Sequence, residues 1–392
     1  MIAATRLIRL CLALSLGICL TGLATGFATG AKAFETQASA AYVMDMTTGT
    51  ILLEKNADTP LPPASMSKLM TLYVTFEAIR DGRLTLDEKL PVSQHAMDYG
   101  GSTMFLDTTD RVSVEDLIRG IIVLSGNDAC AVLAEALSPD GTEEGFARFM
   151  TQRAQQMGMT NSIFQNSNGW PEAGHVMSMR DLGLLARRLI EDFPEFYPMF
   201  AETEFAFDGR APQNTQNRNP LLRMGVGADG LKTGHTQEAG FGLVASARQG
   251  DRRIILVVTG LPTAQARADE TRSIVGWAFR QFVRKSVLEA DIEVARADVW
   301  MGGEASVGLV AAEDVSALVP VLAQDELSAR VEYTGPVRAP VARGDELAEL
   351  VLTPEGLPEV RVPLVAANVS RQQLGEVMQQ GFTAVFDENT IK

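Results

Sequence analysis

The order of hydrophobic patterns predicts an α/β fold of the α+β type, with an antiparallel sheet flanked by helices. A small all-β domain and a C-terminal amphipathic helix follow it. Three observations predict this. Strand-like segments stand at both ends of residues 34–283, with helix-periodic segments between them. After residue 284, short β-like runs alternate with Gly and Pro turns. Residues 368–386 then place apolar side chains at helical spacing.

Residues 41–54 read as a β-hairpin, two apolar runs around Thr47-Thr48-Gly49. Pro60, Pro62 and Pro63 end that region, and a helix starts near Ala64 with Leu69, Leu72, Tyr73, Phe76 and Ile79 on one face. Further helices fit 113–124, 128–137, 143–157 and 178–191, the last opened by Ser178 and Asp181 at capping-box spacing. From 231 the period shortens. Residues 231–236, 241–247 and 252–260 read as three strands, the last two joined by a tight turn at Gln249-Gly250-Asp251. A helix from Asp269 to about Phe282 closes the domain, and pairing the terminal strands in one antiparallel sheet accounts for the order of elements.

The β domain, 284–367, shows short runs at 292–295, 306–310, 329–333, 349–353 and 359–365, a spacing that fits a small sandwich. It carries no recognisable catalytic constellation. In the tail, 368–392, Val369, Leu374, Val377, Met378, Phe382, Val385 and Phe386 share a helical face. Two readings stand: a terminal helix packed on its own domain, and an interfacial membrane anchor. The basic polar face that aids binding to anionic lipid is missing.

Residues 1–33 read as a secretory signal. Arg6 and Arg9 precede an uncharged apolar stretch from Leu10 to about Ala28, and Ala31-Lys32-Ala33 has the small-x-small pattern of a cleavage site. Its removal takes the net charge from −15 to about −18. So acidic a chain, without a basic run, excludes nucleic acid as the expected partner. Of three cysteines, Cys11 and Cys19 lie in the signal, leaving Cys130 in an apolar run as a small buried hydrophobe. His95, His175 and His235 have no metal-ligand spacing, and neither metal nor cofactor is expected.

Three short motifs carry the chemistry. Ser65-Met66-Ser67-Lys68 opens the first strong helix, so that Lys68, three residues on, returns to the face of Ser65. A serine becomes nucleophilic beside a base, and a lysine serves as one when burial and nearby positive charge lower its pKa. Ser125-Gly126-Asn127 lies between two apolar segments, where a hydroxyl and an amide can face a cleft; alone, it reads equally as a helix cap. Lys232-Thr233-Gly234, followed by His235, sits on a strand, where a cation beside a hydroxyl can hold a carboxylate. Gly234 leaves room for an approaching substrate backbone. Taken singly, this strand lysine could equally blunt a sheet edge.

Each motif is weak by itself, and together in this order they are specific. With ProProAlaSerMetSerLysLeuMetThr, LeuSerGlyAsnAspAla and AspGlyLeuLysThrGlyHisThr, the chain resembles the serine-type D-alanyl-D-alanine carboxypeptidases, the low-molecular-mass penicillin-binding proteins, over roughly residues 40–390. The resemblance implies a β-lactamase/transpeptidase-like catalytic domain, a C-terminal β domain and, often, a membrane-anchoring helix. It implies Ser65 as the acylated nucleophile, Lys68 as general base, Ser125 as proton shuttle and Asn127 as orienter of substrate and Lys68. Lys232 and Thr233 would hold the terminal carboxylate side, with Arg267 near it, and the N–H groups of Ser65 and His235 would form an oxyanion hole. The implied partners are peptidoglycan stem pentapeptides and β-lactam antibiotics, and the implied location is outside the cytoplasmic membrane, periplasmic or peripheral on that membrane. Asn168-Gly169-Trp170 departs from the commoner His/Asn-Gly-Leu. Two rivals are a β-lactamase, which needs a fast deacylation device and would turn nitrocefin over continuously, and a non-catalytic wall-binding scaffold indifferent to Ser65→Ala.

Overall fold

The computed structural model describes residues 34–210 and 213–368. The signal-like segment 1–33 and the tail from 369 onward lie outside them. The chain opens with β1 (Ala40–Asp45) and β2 (Ile51–Lys55), the expected hairpin, turned by Thr47–Gly49 with Gly49 at φ +72°. A 3₁₀ turn, Ala64–Ser67, leads into α1 (Lys68–Arg80). Then come β3 (Lys89–Pro91), α2 (Gln94–Met97), β4 (Arg111–Ser113), α3 (Val114–Arg119), α4 (Asn127–Leu137), α5 (Glu143–Gln156) and α6 (Met179–Asp192). Strands β5 (Ala228–Thr236), β6 (Gly240–Gln249) and β7 (Arg252–Leu261) precede α7 (Ala264–Gln281).

The sheet runs β2-β1-β7-β6-β5, antiparallel throughout, so the two ends of the domain meet at β1 and β7. Alternation sorts its side chains. Ala40, Tyr42, Met44, Ile255 and Val257 face the main helical cluster, whereas Ala41, Val43, Ile254, Leu256 and Val258 face α7. A strand covered on both faces reads as an unbroken apolar run, as β1 does. Helix α1 is buried along its whole length from Lys68 to Ala78, the condition of a helix apolar on all sides. Lys68 therefore begins life in the interior.

Two helical expectations change. The segment expected as one helix over 113–124 is α3 followed by a π turn, Gly120–Leu124, which ends with Ser125 in the left-handed region at φ 64°. Helix α7 starts at Ala264 rather than Asp269 because the Thr263 hydroxyl accepts from Ala266 N and caps it.

The remaining strands are β8 (Phe282–Leu288), β9 (Glu293–Trp300), β10 (Ser306–Ala311), β11 (Val315–Pro320), β12 (Ser328–Tyr333), β13 (Val337–Arg338), β14 (Glu346–Thr353) and β15 (Val360–Ala366). Six form a sheet, β12-β14-β15-β10-β9-β13, and β8 pairs with β11. The sequence pattern missed β8, β11 and β13. The β8–β11 ribbon joins both cores: Val315 and Ala317 pack in the β domain, Phe282 and Leu318 under α7.

Candidate active site

The turn that carries Ser65 is set by backbone shape. Ala64 has φ +49° and Ser65 stands on the 3₁₀ turn that feeds α1. Lys68, fully buried, places its Nζ 2.8 Å from Ser65 Oγ, 2.8 Å from Asn127 Oδ1 and 2.6 Å from the Asn168 carbonyl. Burial is the main cause that brings the amine down to about 8; Arg218 pushes the same way, while Cys130, Asp128 and Glu143 partly offset it. Two of the three neighbours are carbonyl-type oxygens that only accept, and the third is a hydroxyl that can donate. A charged amine gives one hydrogen to each of the three; a neutral one keeps those to Asn127 and Asn168 and turns its lone pair toward the Ser65 hydroxyl.

The second motif arrives through the π turn. Its left-handed end carries Ser125, whose Oγ accepts from Lys232 Nζ at 2.9 Å. Insertions of this kind inside a helix recur at functional sites. Asn127 is anchored by its own N–H to the Ser102 carbonyl and by Nδ2 to the Gly100 carbonyl, both 2.8 Å, which turns Oδ1 toward Lys68. The amide oxygen thereby holds the Lys68 amine.

The third motif lies on β5, the edge strand beside the Ser65 turn. Lys232 is buried; desolvation chiefly, then Lys68 and Arg218, hold its amine well below the ordinary lysine range. Gly234 is required by the protein's own packing: a Cβ there would sit 2.9 Å from the Pro63 carbonyl and 3.0 Å from Met66 Cγ. This corrects the reading of that glycine as space for substrate alone. Exposed His235 lays its ring 3.7 Å from that of Phe241.

A fourth segment, 166–170, completes the wall. Asn166 Oδ1 accepts from Gly169 N at 2.8 Å, and Asn168 Oδ1 from Trp170 N at 2.9 Å. Gly169 has φ +80°, and a Cβ on it would fall 1.9 Å from the Ala64 carbonyl, so only glycine lets this loop lie on the Ser65 turn. Trp170 is 45 % exposed and packs edge-on against Tyr99. One suggestive pair is inert. Ser67 Oγ lies 2.8 Å from His175 Nε2, but His175 Nδ1 accepts from Gln165 N, so Nε2 carries the hydrogen and donates to Ser67. Burial, helped by Lys68, takes this imidazole down to about 4. It cannot act as base toward Ser67.

Comparison with known proteins settles the lineage. Residues 27–263 match the family model described as D-alanyl-D-alanine carboxypeptidase, and residues 282–370 match the C-terminal domain of penicillin-binding protein 5. The chain belongs to the D-alanyl-D-alanine carboxypeptidase family. It is 37% identical over 337 residues to the D-alanyl-D-alanine carboxypeptidase DacC of Escherichia coli, covering 84% of this chain and 83% of that protein. The crystal structure of penicillin binding protein 5 from Haemophilus influenzae superposes with TM-score 0.76 at 34% identity, over 86% of this chain and 98% of that one. Penicillin-binding protein D2 from Listeria monocytogenes in its ampicillin-bound form matches with TM-score 0.55 at 32% identity, over 62% of this chain and 97% of that one.

Like others of its family, the chain is a serine-type enzyme of the penicillin-binding class. Sequence reasoning named Ser65, Lys68, Ser125, Asn127, Lys232, Thr233, Gly234 and His235 from motifs. Arg267 lies on α7, largely buried, with Nη1 3.4 Å from the Gly242 carbonyl, Nη2 3.3 Å from the Arg218 carbonyl and the guanidinium over Phe241. Its Nε is buried without a partner among the described residues, and burial with Arg218 lowers it to about 10. Arg218 belongs to none of the three motifs. It reaches Ser102 Oγ at 2.6 Å and the Leu124 carbonyl, next to Ser125, at 3.2 Å. A loop arginine outside any motif leaves no sequence signal. Nor does Asn168, which acts through a carbonyl every residue possesses.

Proposed function

We propose that this carboxypeptidase removes the terminal D-alanine of peptidoglycan stem pentapeptides through an ester on Ser65. The observation that carries the reading is a fully buried lysine amine 2.8 Å from a serine hydroxyl. Ser65 Oγ attacks the penultimate D-Ala carbonyl and passes its proton to Lys68. The oxyanion meets the backbone N–H groups of Ser65 and His235. The C–N bond breaks, and the proton reaches the departing amine through Ser125, which Lys232 holds from the other side. Water then hydrolyses the ester, with Lys68 again taking a proton. The substrate lies antiparallel along the free edge of β5, which offers main-chain groups to an extended peptide. Its terminal carboxylate faces Lys232, Arg218 and Arg267, with the Thr233 hydroxyl beside them. Penicillin acylates the same serine, in keeping with the ampicillin-bound relative.

The uncharged stretch from Leu10 and the Ala31-Lys32-Ala33 pattern support export and cleavage after Ala33, placing the enzyme outside the cytoplasm, where its substrate is. Among the described residues no helix is long and apolar enough to cross a membrane. The helical spacing of apolar residues in the sequence of 369–386 supports a peripheral membrane contact.

The test is release of D-alanine from a synthetic pentapeptide by residues 34–392. Release abolished by Ser65→Ala and by Lys68→Ala is the expected result; release persisting in either variant contradicts the assignment.

A further inference from the structure

Glu143 opens α5, outside all three motifs, and is only 5 % exposed. A buried carboxylate is costly unless its oxygens find donors, and these do. Oε1 accepts from Ser167 N at 2.9 Å and from the Ser167 hydroxyl at 2.5 Å, with Asn168 Nδ2 at 3.4 Å. Oε2 accepts from His95 Nε2 and from the Tyr99 hydroxyl, each at 2.6 Å. Burial pushes the carboxyl up, but the bonds from Ser167, Tyr99 and His95 outweigh it and hold the group below its ordinary range. With both oxygens taken, Glu143 is not free to activate a water.

Its effect passes through the chain it grips. Ser167 is held twice by Glu143 and a third time through its carbonyl, which accepts from Thr71 Oγ1 of α1 at 2.5 Å. The very next carbonyl, that of Asn168, is the one on Lys68. One residue further, Gly169 rests on the carbonyl of Ala64 beside the nucleophile. A shift of this backbone would therefore move an acceptor that fixes where the Lys68 lone pair points.

We propose that Glu143 is a positioning residue for acylation: it clamps the Ser167–Asn168 backbone so that the Asn168 carbonyl aims the Lys68 amine at the Ser65 hydroxyl. The proposal rests on the reading of Lys68 as the base. Glu143→Gln keeps the volume and one acceptor oxygen but loses the charge and puts a donor NH2 where the second acceptor stood.

The experiment measures acylation of the full mature chain by a fluorescent penicillin in stopped flow, separating non-covalent binding from the first-order acylation rate. Glu143→Gln should slow the first-order rate about 10- to 100-fold with binding unchanged, the signature of a misaligned group. The acidic limb of the rate should also move to lower pH, because an anion near Lys68 is gone. The other charged or titratable groups facing that amine stay in place: Lys232 on β5, Asp128 and Cys130 on α4, and Arg218 and His175 on loops. A purely structural defect moves no such limb. A folded Glu143→Gln enzyme with unaltered rate and limb overturns the proposal. Should that variant not fold, Ser167→Ala, which removes one clamp bond, must slow acylation severalfold; an unchanged rate overturns the proposal equally. Lys68→Ala separates the two claims. Normal acylation without Lys68 sinks the base assignment and this inference with it, whereas an inactive Lys68→Ala beside a normal Glu143→Gln sinks the inference alone.

Discussion

Lys68 is buried at the head of a helix that is itself buried, and that placement gives the amine its chemistry. A base near 8 is charged below that pH, so the acylation rate should climb about tenfold per pH unit from pH 6 and level off above pH 8. Lys68→Arg tests the same point. A guanidinium does not release its proton, and the rate should fall by about 10²–10⁴-fold at every pH. A pH-independent rate in the parent enzyme, or an active arginine variant, would contradict a lysine base. Gly169→Ala tests the loop that roofs the nucleophile. Its methyl group would overlap the Ala64 carbonyl, so acylation should drop by about 10²-fold, more than the expected stability loss of about 1–3 kcal/mol would explain in a protein that is still folded. Equal acylation of the two folded proteins would show that the contact is idle.

At the scale of elements, much of the architecture was legible because periodicity follows burial. Helices α4, α5 and α6 and strands β5, β6 and β7 stand where their apolar spacing puts them, each having one or two covered faces. What failed did so for local reasons. The π turn at Gly120–Leu124 has the same apolar run as a helix, and only its left-handed Ser125 betrays it. Strand β8 carries the adjacent charges Arg284 and Lys285 in mid-strand, which breaks any apolar alternation, and follows α7 without a turn, while β13 has two residues, too few for any pattern. The start of α7 was missed because Thr263 precedes a polar first turn rather than an apolar one. Thr263→Ala should accordingly lower stability by about 1 kcal/mol in a denaturant titration, and Thr263→Ser should restore it. No change in the alanine variant would place the helix start elsewhere. The site divides the same way. Side-chain chemistry with fixed spacing was readable, but Arg218, Glu143 and the Asn168 carbonyl reach the site through folded loops.

For the whole molecule, Arg252 of β7, paired with Asp45 of β1, ties the catalytic sheet to the end of α7 and the start of β8. Arg252 Nη2 lies 2.8 Å from Asp45 Oδ2, and its other contacts reach the carbonyls of Ala278 and Phe282, where α7 ends and β8 begins. Asp45 has no solvent exposure, so Arg252→Met leaves a buried carboxylate unpaired and should cost about 3–5 kcal/mol, read from the unfolding midpoint. A loss under about 1 kcal/mol would mean that water or another donor replaces the arginine. Beyond stability, the fold has one chemical consequence: it brings α1, the π turn and β5 together around a single hydroxyl. Mapping the covalent adduct of a labelled penicillin by peptide mass spectrometry tests that directly. The mass should appear once, on Ser65, and vanish in Ser65→Ala; an adduct on Ser67 or Ser125, or none at all on the folded parent, would contradict it.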